Sequence, residues 1–135
     1  MILSKKFRFE AAHFLPGVPP GHPCGRLHGH SYRIEVAIRG VAQRESGWVR
    51  DFGEVSAVVR PAIAPLDHNL LNSVPGLENP TSEALCSWLW DRLAPGLPDL
   101  YRIVVRETCQ SSCVYRGPGR TKGVAGPSGS EADQV

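Results

Sequence analysis

The sequence predicts an α+β domain in which an antiparallel sheet carries two helices on one face, in the order β-β-α-α-β-β. Three observations lead to this fold class. Apolar and polar residues alternate over 2–13 and again over 28–40, as in strands with one buried face. Two helical patterns follow, at 55–66 and 81–94. Two shorter alternating runs complete the order, at about 100–108 and about 112–116.

The first two predicted strands place three histidines on the buried face. In the first strand, the side chains expected on the buried face are those of Phe7, Phe9, Ala11 and His13. In the second strand, the side chains expected on the buried face are those of His28, His30, Tyr32, Ile34, Val36 and Ile38. Because every second side chain of a strand points to the same face, we expect His13, His28 and His30 to point inward.

The segments that follow these strands are loops and helices. Residues 14–27 are rich in Pro and Gly and predict a loop between the two strands, and loops of this length are usually functional. Asp51 is placed to cap the first helix, with Glu54 three residues later in capping-box position. Pro61 lies inside that helical pattern and predicts a kink or an early end.

The second half of the chain begins with another irregular segment, 67–80. Its Asn-Pro-Thr end predicts the start of the second helix, which we expect to stop at Pro95. After the last strands, large apolar residues almost disappear. We therefore expect a single domain over 1–117 and a disordered tail over 118–135.

Composition indicates a globular protein, with 41% hydrophobic and 21% charged residues. A net charge of +2 gives no reason to expect nucleic-acid binding and is compatible with a small anionic substrate. We expect neither a signal peptide nor a membrane span, since no apolar run approaches the roughly 18 residues that a span needs. The four cysteines are then interpreted as reduced thiols of a cytoplasmic protein.

The three inward histidines predict a metal site. Three neutral imidazoles leave Zn²⁺ its full charge and at least one open coordination position, which is typical of catalytic zinc. Iron or another divalent ion remains open, since imidazole is not selective. The alternative is that His13, His28 and His30 are ordinary core histidines with satisfied hydrogen bonds.

Further candidate residues lie outside this group. Cys24 stands in the long loop four residues before His28, and it is a candidate proton-transfer group, an ordinary thiol or a fourth, blocking zinc ligand. Asp67 and His68 are an acid–imidazole pair, either catalytic or simply solvated. Glu107 occupies the same alternating positions as the apolar residues of its strand, so its carboxylate is expected on the buried face. Because an unpaired buried carboxylate is costly, it needs a partner in the protein or a ligand with an N–H/NH₂ edge, as in a pterin or guanine.

Five separated motifs resemble one known family. The stretches FEAAH, CGRLHGHS, LDHNLLN, PGLENPTSE and RETC agree in order and spacing with the 6-pyruvoyl-tetrahydropterin synthase family, over about residues 7–117. The resemblance implies the tunnelling fold, in which the sheets of several subunits join into a barrel. It implies zinc ligands at His13, His28 and His30, catalytic roles for Cys24, Asp67 and His68, and pterin binding by Glu107.

The family resemblance also implies a reaction and an assembly. The short C-x₃-H-G-H spacing is similar to the queuosine branch, which converts 7,8-dihydroneopterin triphosphate to 6-carboxytetrahydropterin, acetaldehyde and triphosphate. The alternatives are triphosphate elimination without carbon–carbon cleavage, or a non-catalytic pterin-binding protein with structural zinc. The implied assembly is a homo-oligomer, expected to be a hexamer, with its sites at subunit interfaces.

Overall fold

The computed structural model describes residues 1–121 and confirms the α+β architecture. The strands are β1 (Ile2–His13), β2 (His28–Arg39), β3 (Asn69–Leu70), β4 (Leu100–Arg106) and β5 (Cys113–Tyr115). The helices are α1 (Phe52–Ile63), α2 (Ser82–Leu93) and α3 (Pro118–Thr121). The strands form one sheet in the order β3-β1-β2-β4-β5.

The long hairpin-like pair of β1 and β2 sets the register of the sheet. The two strands run antiparallel from Ile2 opposite Arg39 to His13 opposite His28. On the other side of β2, Arg33 lies opposite Arg106 of β4, and β4 pairs antiparallel with β5. The four strands predicted from alternation are therefore confirmed as an antiparallel set.

Strand β3 was not predicted, and it makes the sheet mixed. It is only two residues long and pairs parallel to β1, with Asn69 opposite Ala11. A strand of two residues is too short to show an alternation of apolar and polar residues in the sequence. The position of β3 beside β1 is set by the preceding residue, because the backbone N–H of His68 donates to Glu10 O over 2.6 Å. The segment predicted as irregular is thus tied to the outer edge of β1.

Both long helices begin where the sequence predicts them, α1 after Asp51 and α2 after Thr81. Asp51 Oδ1 accepts Gly53 N–H over 3.0 Å at the start of α1, while Glu54 pairs with Arg50 over 3.1 Å instead of closing a capping box. Pro61 lies inside α1, which ends two residues later at Ile63. Thr81 Oγ1 accepts Ala84 N–H over 3.1 Å and caps α2.

The core lies between the helices and the inward face of the sheet. The sheet contributes Phe7, Phe9, Tyr32, Ile34, Val36, Ile103 and Val105, and α2 contributes Leu85, Cys86, Trp88, Leu89 and Leu93, all buried. The predicted α1 face is buried at Val55, Val59 and Ile63, while Val58 and Ala62 are only partly buried. Sheet and helices thus form two layers around one core.

The described part of the chain ends in a short helix, at the point where the predicted disordered tail begins. Residues Pro118–Thr121 form α3, directly after Gly117, whose φ of 96° and closeness to the Trp90 ring exclude a side chain. The rest of the predicted tail, from residue 122 onward, lies outside the described residues. Among the described helices, none combines the length and apolar character that crossing a bilayer requires.

Leu89 tests the two-layer core, because it is fully buried on α2 against the sheet. Leu89→Ala is expected to lower the free energy of unfolding by about 2–5 kcal/mol through lost burial and the cavity left behind. The matched control is Ser87→Ala on the exposed face of the same helix, expected to change stability by less than about 0.5 kcal/mol. Urea denaturation followed by circular dichroism measures both, and equal stability of the two variants would contradict this packing.

Candidate functional site

The pairing of β1 with β2 brings the three predicted histidines together at one end of the sheet. His13 lies opposite His28, and Ala11 lies opposite His30, so His30 is the diagonal neighbour of His13 on the same face. Ring centroids are 4.6–5.0 Å apart. One ring nitrogen from each histidine lies within 4.8 Å of the others. The three side chains therefore form a group with the size of a metal-binding site.

Backbone carbonyls orient two of the three rings. His13 Nδ1 lies 2.9 Å from Pro80 O, and His28 Nδ1 lies 2.6 Å from Arg26 O. A carbonyl oxygen only accepts hydrogen bonds, so each Nδ1 carries the hydrogen and each neutral ring keeps its lone pair on Nε2. The two Nε2 atoms are 3.0 Å apart. Two lone pairs at this distance repel unless they share a cation, so the arrangement of the two rings fits a shared metal ion.

His30 completes the group with an unsatisfied nitrogen. Its Nε2 is buried without a hydrogen-bond partner among the described residues. Burial is the main cause that lowers the pKa of His30; the charge of Glu107 opposes this shift, and His13 and His28 add to it. A neutral, buried and unpartnered imidazole nitrogen is what a metal ligand requires. The donor set therefore fits a metal ion, and the alternative of satisfied core histidines does not hold for His30.

Tyr32 supports the group from within the core. Its hydroxyl lies 3.1 Å from His13 Nδ1, and its ring stacks on Phe9 at 5.0 Å. Burial raises the pKa of Tyr32, with the charge of Glu107 as a lesser cause, so the hydroxyl stays protonated. His13 itself is only 1% exposed. The inner wall of the site is thus neutral and fixed by packing.

Glu107 lies beside the histidines, just beyond the end of β4. Its Oε2 is 3.8 Å from His30 Nε2, and its Oε1 accepts a hydrogen bond from Ser82 Oγ over 3.0 Å. Among the described residues its recorded partners are these two, so an arginine salt bridge, one of the predicted alternatives, is not present. The structure therefore brings a carboxylate with free acceptor capacity next to the metal-binding group.

Cys24 lies in a short 3₁₀ turn, Pro23–Gly25, within the long loop. The turn is held by His22 Nδ1, which accepts Cys24 N–H over 3.1 Å, and by Leu15 N–H, which donates to Cys24 O over 2.8 Å. Within residues 1–121 the metal-binding group contains only the three histidines. Cys24 of the same chain therefore lies outside this group.

Asp67 and His68 lie on the outer edge of β1, away from the histidine group. Asp67 Oδ1 accepts Glu10 N–H over 3.0 Å and is 3.0 Å from His68 Nδ1. The Glu10 backbone N–H is the main cause that lowers the pKa of Asp67, and His68 adds to the shift. His68 has a φ of 58°, which is unusual for a residue with a side chain, and the side chain is 78% exposed. The pair is therefore hydrogen-bonded to the backbone of β1, and its side chains face outward.

The structure thus divides the predicted site residues into two groups. His13, His28, His30 and Glu107 are brought together. In the described part of the chain, no hydrogen bond or ion pair joins this cluster to Cys24 or to the Asp67–His68 pair. Glu10, where the pair is tied, is three residues from His13, or roughly 10 Å along the strand.

Sequence reasoning missed the groups that hold the site residues in place. Pro80 and Arg26 contact the histidines through their backbone carbonyls. Every residue has a backbone carbonyl, so the residue type does not predict these contacts. Ser82 stands at the first position of a helix, where a serine is ordinarily attributed to the helix start. Tyr32 carried a usable signal, since it follows His30 by two residues on the same face.

The fold and the histidine group define a tunnelling-fold protein with a candidate metal centre at the end of its sheet. A family model described as 6-pyruvoyl tetrahydropterin synthase matches residues 2–118, so the chain belongs to that family. The fold agrees with a solved 6-pyruvoyl tetrahydropterin synthase from Caenorhabditis elegans, with a TM-score of 0.81 at 23% identity, covering 87% of this chain and 96% of the other.

Two relatives show the range of activities named within the family. A Synechocystis protein named 6-carboxy-5,6,7,8-tetrahydropterin synthase is 42% identical over 87% of this chain and 94% of its own length. A Dictyostelium discoideum protein named 6-pyruvoyl tetrahydrobiopterin synthase is 37% identical over 70% of this chain and 73% of its own length. Both branches considered from the sequence are thus represented among its relatives.

The histidine group is expected to bind about one divalent ion per chain, measured with Zn²⁺ by metal analysis and with Co²⁺ by its visible absorption. His28→Ala should weaken binding by more than roughly tenfold, because it removes one of three ligands. His22→Ala is the matched control, since His22 lies outside the group and should leave metal content unchanged. Full metal retention in His28→Ala would show that the ion is held elsewhere.

Proposed function

We propose that the protein is a zinc-dependent lyase that converts 7,8-dihydroneopterin triphosphate to 6-carboxy-5,6,7,8-tetrahydropterin, acetaldehyde and triphosphate, in queuosine biosynthesis. The observation that carries this proposal is the three-histidine group with the Glu107 carboxylate 3.8 Å from His30. A cation site with an open position and an adjacent acceptor suits a ligand with oxygen donors at one end and N–H donors at the other. The 42% identity to a protein named 6-carboxy-5,6,7,8-tetrahydropterin synthase supports the choice of product.

His13, His28 and His30 would hold the zinc ion through their unprotonated nitrogens. When bound there, zinc would act as a Lewis acid toward the oxygens of the substrate side chain. The residues of the chain fix the ring orientations beforehand, because the carbonyls of Pro80 and Arg26 hold the Nδ1 hydrogens of two of them. Little rearrangement is then needed when the substrate arrives.

Glu107 would bind the pterin ring. The 2-amino group and the adjacent ring N–H of a pterin are two parallel donors, which match the two oxygens of a carboxylate. Glu107 keeps acceptor capacity for them, since its hydrogen bond from Ser82 occupies only one site on Oε1. The ring would thus be anchored with its side chain toward the histidines.

Cys24, Asp67 and His68 would move protons. The lowered pKa of Asp67 keeps that carboxylate ionised, and it orients His68 through Nδ1, which leaves Nε2 free to accept or deliver a proton. Cys24 supplies a thiol from a turn fixed by two backbone hydrogen bonds. Together they would serve the deprotonation and reprotonation of the substrate carbons during carbon–carbon cleavage.

Assembly would join the two groups. The Asp67–His68 pair faces outward on the sheet edge, while the histidine group and Glu107 lie at the end of the same sheet. We propose a cytoplasmic homo-oligomer, a hexamer, in which the Asp67–His68 pair of one subunit faces the metal, Cys24 and Glu107 of another. Each site would then form at an interface, with no nucleic acid or membrane involved.

The second candidate activity is triphosphate elimination to a 6-pyruvoyl product, named for the Dictyostelium relative. The four-residue spacing from Cys24 to His28 and the higher identity to the Synechocystis protein favour the carboxy product. The two activities differ in whether carbon–carbon bond cleavage occurs, so acetaldehyde is the diagnostic product.

Wild-type protein is expected to release acetaldehyde and 6-carboxytetrahydropterin from dihydroneopterin triphosphate, as measured by mass spectrometry. Cys24→Ser should lower kcat by roughly 10²–10⁴-fold, because a hydroxyl replaces the proton-transferring thiol. Cys109→Ser is the matched control, since Cys109 is an exposed thiol in the turn before β5 and should leave kcat unchanged. A pyruvoyl product without acetaldehyde would favour the second candidate, and binding without turnover would favour a non-catalytic pterin-binding protein.

Co-expression of two inactive variants tests the shared site. Mixed oligomers of Cys24→Ser and Asp67→Asn chains should regain about a quarter of wild-type activity, because one site in four then combines two intact groups. The control mixes Cys24→Ser with Glu107→Ala, which damage the same side of the interface and should restore nothing. Absence of restoration in the first mixture, with mixed oligomers verified by mass spectrometry, would place each site within one chain.

A further inference from the structure

The side chain of Asn72 makes two hydrogen bonds with the backbone of Phe14, the residue that directly follows His13. Phe14 N–H donates to Asn72 Oδ1 over 3.0 Å, and Asn72 Nδ2 donates to Phe14 O over 2.8 Å. A backbone N–H only donates and a carbonyl only accepts, so these contacts also fix the orientation of the amide. We refer to the two hydrogen bonds as the Asn72 clamp.

The clamp extends the pairing of β3 with β1 by means of a side chain. The backbone of β3 pairs with β1 over two residues only, and the chain then turns into a 3₁₀ helix at residues 71–73. The side chain of Leu71 is fully buried and fixes the position of this turn. A carboxamide carries the same donor and acceptor as a peptide group, so Asn72 bonds to the chain of β1 beyond the point where the backbone of β3 has left it.

The clamp is connected to Cys24 through the next residue of the loop. Leu15, which follows Phe14, donates its N–H to Cys24 O over 2.8 Å. Within residues 1–121, the hydrogen bonds that join loop 14–27 to a segment outside the β1–β2 hairpin are the two of the clamp. The loop forms its other hydrogen bonds within itself or with the start of β2. Asn72 therefore fixes the direction in which the loop leaves β1.

We propose that Asn72 is a positioning residue for the reaction, which places the Cys24 thiol by holding the start of its loop. Both hydrogen bonds of the clamp are partly buried, so water competes less well for the same groups. A displacement of about 1 Å at a reacting group can cost roughly 10²-fold in rate, so a loop without this attachment would present the thiol poorly. The inference rests on the proposed function, in which Cys24 moves protons.

Amide hydrogen exchange in the zinc-loaded, full-length protein measures the clamp without any turnover. The Leu15 amide is protected by its hydrogen bond to Cys24 O. Asn72→Ala should lower this protection by roughly 5- to 30-fold, because the two hydrogen bonds that anchor the loop are lost. Asn72→Asp is nearly isosteric and keeps only the acceptor, so the loss should be smaller and in the same direction. It serves as the test if the alanine variant does not fold.

Thiol reactivity and metal content show which site residue the clamp serves. Cys24 is partly buried, so iodoacetamide should alkylate it faster in Asn72→Ala, with the exposed Cys109 as the internal reference. Metal content should stay unchanged, because His13 keeps its hydrogen bond to Pro80 O. Loss of metal would instead show that the clamp acts through His13, and it would overturn the inference.

Kinetics test the role of the clamp in the reaction. Asn72→Ala should lower kcat by roughly 10- to 100-fold and change KM by less than about threefold, because the thiol is misplaced while the substrate contacts remain. Asn69→Ala is the matched control, since the Asn69 amide donates to Pro65 O over 2.9 Å within its own segment and does not touch the loop. It should leave kcat, Cys24 alkylation and Leu15 protection unchanged.

The outcomes separate this inference from the proposed function. Wild-type protection of Leu15 in both Asn72 variants overturns the inference. Lost protection with wild-type kcat also overturns it, because the attachment of the loop would then not matter for the reaction. Absence of turnover in the wild type overturns the proposed function and the catalytic role of the clamp with it, while Leu15 protection and Cys24 alkylation still decide whether Asn72 holds the loop.

Discussion

The antiparallel register between β1 and β2 is the constraint on which the site depends. It places His13 opposite His28 and puts His30 diagonally across the same face, so that three imidazoles meet at the end of the sheet. A shift of one residue would turn one strand's histidines to the other face, together with the apolar residues of that strand. Burial of Phe7 and Phe9 below the helices therefore protects the metal-binding geometry, because the same register serves both.

The site is built from groups that would be costly if they were left alone in the core. His13 is almost fully buried, and its Nδ1 is satisfied by the Pro80 carbonyl, while its other nitrogen faces His28. His30 retains a buried nitrogen that has no hydrogen-bond partner among the described residues. Most buried polar atoms in proteins are hydrogen-bonded, and exceptions mark strain or an expected ligand. Here the unsatisfied atoms converge, which is the physical reason to expect a cation.

The separation of the candidate residues into two groups follows from the topology. Cys24 belongs to the loop between β1 and β2, and the Asp67–His68 pair is tied to the outer edge of β1 by Glu10. Short β3 covers only the last part of that edge, so most of β1 has no strand beside it on that edge within residues 1–121. Such an edge favours pairing with another chain, and the same pairing would bring the outward Asp67–His68 pair of one subunit toward the histidines of the next.

The sequence by itself determined the element order, the strand parity and the identity of the candidate residues, because alternation and caps are local properties. His13, His28, His30 and Glu107 were found in this way. The tertiary structure decided which of them meet, since register and helix placement depend on long-range packing. It also supplied the Pro80 carbonyl, the Ser82 hydroxyl and the pairing of β3, which involve backbone groups or partners distant in the chain and leave no local pattern to read.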